Sequence, residues 1–134
     1  MKQLAKKLLP LTVLPFLVAC GNGATVVIDM NASFIMASRT ETSTKISLSV
    51  QKANGDMTYR ITVGDKTSDT LTGDVKVKGG QVSFLVSTMN DEVLYENAFA
   101  EGGNFEVKVS EAGNYKIKLN FSDFNGSYIV TWAK

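Results

Sequence analysis

The sequence predicts an all-β protein, an antiparallel two-sheet β-sandwich built from consecutive hairpins. Three observations carry that expectation. Apolar and polar residues alternate in short runs over most of residues 25–134. Asn54-Gly55, Gly79-Gly80 and Asn125-Gly126 each separate two such runs, and these dipeptides tolerate the positive φ that two-residue hairpin turns require. Both prolines, Pro10 and Pro15, lie before residue 20, so turns in the remainder fall to Gly and Asn. The alternative is a small closed meander β-barrel, which a series of local hairpins also permits and which can hold one small ligand. The early Gly-x-Trp signature of lipocalins is absent.

Each turn sets a register that the apolar pattern can check. A turn at Asn54-Gly55 places Val50 opposite Tyr59, Leu48 opposite Ile61 and Ile46 opposite Val63, with Ser47, Ser49, Thr58, Arg60 and Thr62 on the other face. A turn at Gly79-Gly80 sets Val77 against Val82 and Val75 against Phe84. One at Asn125-Gly126 sets Phe121 against Val130 and Leu119 against Trp132. A fourth connection, Glu111-Ala112-Gly113, would bring Phe105, Leu119 and Trp132 into one row at the centre of the core.

The remaining segments are less regular. Residues 25–30 and 33–37 read as strands with a bend near Asp29 and Asn31, and residues 38–44 as a polar Ser/Thr loop. Residues 90–100 read as a strand through Val93, Tyr95 and Phe99; the alternative is a short helix capped by Asn90-Asp91-Glu92. The total is nine or ten short strands.

The first twenty residues are of a different kind. Lys2, Lys6 and Lys7 precede an apolar run from Leu8 to Phe16, the layout of a secretory signal and too short to span a bilayer as a helix. Leu17-Val18-Ala19-Cys20 follows directly and resembles the lipobox of bacterial lipoproteins. The resemblance implies diacylglyceryl transfer to the Cys20 thiol and cleavage before it. The organisation is then a cleaved signal peptide at 1–19, a lipidated Cys20 with a short tether at 20–24, and a single domain at 25–134. Two acyl chains hold a protein stably where one binds reversibly. Residues 21–24 reach at most about 14 Å at roughly 3.5 Å per residue, which keeps the domain near the membrane. Glu111-Ala112-Gly113-Asn114-Tyr115 resembles the acid-x-Gly-x-Tyr lead-in to a strand of immunoglobulin-like domains. That implies a tyrosine hydroxyl bonded back to the backbone. The disulfide and the strand C tryptophan of those domains have no counterparts.

Charge and residue content exclude several functions. Removing Lys2, Lys6 and Lys7 from the 14 basic residues leaves 11 against 13 acidic ones, so no basic excess suggests nucleic acid. Lys76, Lys78, Lys108, Lys116 and Lys118 alternate with neighbours such as Asp74 and Glu106 and read as a solvated sheet face. The chain has no histidine and one cysteine, Cys20, which excludes histidine-based triads, histidine metal ligands and an intramolecular disulfide. No phosphate-binding glycine loop occurs. Carboxylates gather in two stretches, Asp65, Asp69 and Asp74, then Asp91, Glu92 and Glu96; neither has calcium-loop spacing. No cofactor, metal or catalytic residue is assigned. Phe124 and Tyr128 beside the last turn are the candidate contact residues, since an exposed aromatic at a loop end can meet a sugar ring or a protein.

The expectation for function is a non-catalytic lipoprotein, anchored on the extracytoplasmic side of the cell membrane and presenting an interaction surface to an envelope protein or a saccharide. The alternative is a carrier of a small hydrophobic or saccharide ligand. A hydrolase built on loop carboxylates ranks last.

Overall fold

A computed structural model describes residues 25–64, 69–109 and 111–132. The described residues form seven strands: β1 (Val26–Ile35), β2 (Ser38–Glu41), β3 (Lys45–Val63), β4 (Asp69–Thr88), β5 (Val93–Phe99), β6 (Gly103–Val109) and β7 (Gly113–Thr131). They form one antiparallel sheet in the order β1-β3-β7-β4-β5, with β2 also on β3 and β6 also on β4. The sheet is not closed into a barrel.

The three central strands are too long for one flat layer, and side-chain contacts show that they double back. Tyr128 of β7 is paired with Val75 of β4, nine residues before Phe84. A straight strand would carry Phe84 roughly 30 Å away. The Phe84 and Tyr128 rings are instead 5.3 Å apart, edge to face. Glu41, paired with Ile46, likewise accepts a hydrogen bond from Tyr59 at 3.0 Å. The sheet is therefore folded over itself. One layer holds β2, the first half of β3, the second half of β7, the first half of β4 and β6. The other holds β1, the second half of β3, the first half of β7, the second half of β4 and β5. Strands that pass from one sheet to the other through bulged corners are a known way to build such a sandwich.

The all-β sandwich is thus as expected, but the hairpins are not its building units. Asn54-Gly55, Gly79-Gly80 and Asn125-Gly126 lie inside β3, β4 and β7, at register irregularities where the strands bend. Val50 faces Gly126 instead of Tyr59, Phe84 faces Leu119 instead of Val75, and Val130 faces Ile46 instead of Phe121. The apolar check could not separate these arrangements. A two-residue turn and an odd-residue bulge both switch which parity of residue faces inward, and parity is what the check tested. Glycine is needed at the corners for a reason a turn would not impose. At Gly80, φ is +69° and a Cβ would lie 2.0 Å from the Asp123 carbonyl oxygen. At Gly55, φ is +104° and a Cβ would lie 2.2 Å from the Asn31 oxygen. The corner is also tied laterally. Asn54 donates to Asp123 Oδ1 at 3.1 Å, Asp123 N donates to Asn54 Oδ1 at 2.9 Å, and Lys52 stands 3.6 Å from the same carboxylate.

Other expectations divide. The two early strands are one, β1, with an irregularity between Val27 and Asp29 where a bend was expected. Residues 38–41 form β2 where a loop was expected. Residues 93–99 are a strand, as expected, and not a helix. β6 pairs with β4, Phe105 facing Gly73, so Phe105, Leu119 and Trp132 do not form a cross-strand row. The Tyr115 hydroxyl does donate back to the backbone, to Glu111 O at 2.5 Å. Between the layers lie Phe84, Phe99, Phe105, Tyr128, Met57 and Ile117 among other buried apolar side chains, and Tyr95 stacks on Phe105 at 4.8 Å.

Candidate functional site

The fold has two unlike ends. At the first, the chain enters at Thr25, whose hydroxyl donates to Thr42 O at 2.6 Å, and Trp132 N donates to Thr44 O at 3.0 Å. The turn after β4 and the Glu111-Ala112 connection lie at the same end, since Thr88 pairs with Tyr115 and Val63 with Gly113. The second end is the corner, where β3, β4 and β7 bend and where residues 36–37 and 100–102 cross between layers.

A groove of about 490 Å³ runs over the corner end, lined by Met36, Gln51, Lys76, Lys78, Asn125 and Ser127 with their neighbours. Its floor follows from the register: Ser49 pairs with Ser127, and Ser127 with Lys76, so three strands place two hydroxyls and an ammonium side by side on the outward face. Lys78 repeats the charge two residues on, on the same face of β4. None of the lining residues is acidic, and among the described residues neither Lys76 nor Lys78 forms an ion pair. Met36 closes one side. It is 72% exposed and has φ of +57°, a left-handed conformation seldom adopted by a residue with a bulky side chain.

A second polar group lies at the β1 and β2 edge, partly open to solvent where the two layers meet. Arg39 and Glu41 point inward from β2 and form an ion pair at 2.9 Å. Tyr59 donates to Glu41, and the Arg39 guanidinium approaches the sulfurs of Met30 and Met57 at 3.8 and 3.7 Å. Burial pushes the Tyr59 hydroxyl well above the usual phenol range, with the Glu41 carboxylate adding to it. Burial does the same to Tyr128, reinforced by neighbouring Tyr59. The Tyr128 hydroxyl lies beside that of Tyr59 and makes no well-formed hydrogen bond among the described residues. Inward charges on a short edge strand prevent another strand from adding there, which accounts for Arg39 and Glu41 structurally.

The residues singled out from sequence are scattered. Phe124 and Tyr128 are 0% and 1% exposed, so neither offers a ring to a ligand. Phe124 stacks on Phe121 at 5.9 Å and caps the core from the corner, because the bend turns its side chain inward. Cys20 and Asp65 lie outside the described residues. Asp74 faces solvent on the outer side of β4, beside a separate groove of about 570 Å³ that also involves Asn104 and Glu106. Asp91 pairs with Lys116. Among the described residues no three acidic side chains come together. The groove residues were legible only as a solvated lysine face; the signal that could have marked them is Lys76-x-Lys78 running straight into a glycine corner.

No protein-family model matches the sequence, and no curated protein is similar to it. Solved structures with a similar arrangement include the family 11 carbohydrate-binding module of a cellulosomal cellulase of Clostridium thermocellum. It has 9% identity and a TM-score of 0.42 over 81% of this chain and 84% of that one. A carbohydrate-binding module of Cellvibrio mixtus lichenase 5A, in complex with cellotriose, has 14% identity and a TM-score of 0.41 over 81% and 92%. The enzymatically active domain of tailspike protein 4 of bacteriophage CBA120 has 13% identity and a TM-score of 0.43, over 87% of this chain but 21% of that one. The likeness is one of β architecture.

Proposed function

We propose that this protein is a lipid-anchored, non-catalytic binding domain of the bacterial cell envelope. It is held at the membrane through Cys20 and presents its corner end to an envelope saccharide or protein. The observation that carries the reading is the opposition of the two ends. Thr25, five residues after Cys20, enters the fold beside residues 42–44, while the groove lies across the bends of β3, β4 and β7. About eight residues of β3 separate Gly55 from Val63, or roughly 27 Å of strand. A tether of about 14 Å therefore leaves the first end close to the bilayer and holds the groove well clear of it. With rings packed between the layers, a saccharide, whether carried or simply bound, would be held on the outer surface.

The test is membrane partition combined with depth quenching. Cys20→Ala should move the protein from the membrane to the soluble fraction; retention would refute the anchor. In liposomes carrying the lipidated protein, a fluorophore on Thr44→Cys should be quenched by lipid-borne nitroxides and one on Lys78→Cys should not. Equal quenching would refute the orientation.

A further inference from the structure

Resting on that reading, we propose that the corner groove binds an acidic saccharide polymer, with Lys76 and Lys78 meeting its anionic groups and Met36 lying against a sugar face. Three features converge on this ligand class. The two ammonium groups lack carboxylate partners among the described residues, and no acid lines the groove, so an anion would complete the charge pattern. Gln51, Asn125, Ser49 and Ser127 add amide and hydroxyl groups, which both donate to and accept from the hydroxyls of a sugar ring. Met36 supplies a polarisable apolar surface at the rim, and its backbone explains why it matters. A glycine would occupy φ of +57° without strain, yet the position carries a large side chain that is 72% exposed. Strain retained for an exposed side chain points to a role in contact. An acidic peptide would satisfy the lysines but would have less use for the row of hydroxyls and amides between them.

The full-length lipidated protein in nonionic micelles can be titrated with galacturonic acid octamers, neutral glucose octamers and poly-glutamate of matched charge. The acidic sugar should bind, more weakly as salt is raised because the contacts are exposed; the neutral sugar should not compete, and poly-glutamate should compete only weakly. Lys76→Gln with Lys78→Gln should lower affinity by about tenfold. Met36→Gly should weaken binding while raising the unfolding midpoint by a few degrees, and Met36→Leu should bind nearly as well as the parent. Equal binding of neutral sugar, tighter binding of poly-glutamate, or no loss in the lysine variant would each overturn the proposal. Absence of acidic-sugar binding with Cys20 partition and depth quenching intact would overturn the ligand class alone. A Cys20→Ala protein that stays in the membrane would overturn the anchoring reading whatever the groove binds.

Discussion

Replacing Gly80 by Asn separates a corner from a hairpin. In a two-residue hairpin turn, Asn is among the best replacements for Gly, because it tolerates the left-handed region and its side chain points to water. Here the backbone has φ of +69°, and a Cβ at residue 80 would lie 2.0 Å from the Asp123 oxygen, 2.4 Å from its carbonyl carbon and 2.5 Å from the Ser122 oxygen. All three contacts are to backbone, so the clash cannot be relieved by moving a flexible side chain. β4 and β7 must separate at the pairs Gly79 with Asn125 and Gln81 with Ser122. Loosening about two backbone hydrogen bonds at about 1 kcal/mol each, with about 1 kcal/mol more for repacking, gives a loss of about 3 kcal/mol. Gly80→Ala adds about 1 kcal/mol of left-handed strain. Gly79→Ala is the internal control, since its Cβ would meet only Asn125 Cβ at 3.9 Å. Urea unfolding followed by Trp132 fluorescence should show the midpoint of Gly80→Asn falling by about 1–2 M and that of Gly79→Ala falling far less. A Gly80→Asn protein within about 0.5 kcal/mol of the parent would refute the corner and restore the hairpin.

Two further outcomes follow from the buried tyrosines. Tyr128→Phe removes a buried hydroxyl that makes no well-formed hydrogen bond among the described residues although it lies beside that of Tyr59, and should shift stability by no more than about 1 kcal/mol, or about 4 °C in the thermal midpoint, where loss of a strong hydrogen bond would cost more. On alkaline titration, Tyr59 and Tyr128 should keep their protons in the folded state beyond the pH at which an ordinary phenol ionises, because both are raised by burial. The unfolded chain then loses protons first. Stability is full below pH of about 10 and falls above it; ultraviolet absorbance of tyrosinate, with stability measured in parallel, reads both effects.

Much of the fold was legible because side-chain parity is written in the sequence. Ile46, Leu48 and Val50 face inward, and so do Tyr59, Ile61 and Val63, in both the hairpin and the corner. What the local pattern lacks is the identity of the strand across the ladder. Val50 meets Gly126, far along the chain, and only the whole sheet decides that pairing. The same ambiguity misplaced the aromatic contact. Beside a hairpin tip, Phe124 would lie outside or over the edge, whereas within a bend its ring turns into the core. Arg39 and Glu41 were hidden in a Ser/Thr-rich stretch that looked like a loop, although their spacing of two is the spacing of a strand face. The lysines of the groove were visible, but their lack of carboxylate partners is a property of three dimensions.

The most direct test of binding at the corner end is residue-resolved. Amide chemical shifts of isotope-labelled protein should be followed while galacturonic acid octamers are added. The expected result is a set of perturbations confined to Met36, residues 49–51, residues 76–78 and residues 125–127. Perturbations centred on residues 72–74 and 104–106, or along β1, would place the binding surface elsewhere and contradict the assignment of the corner.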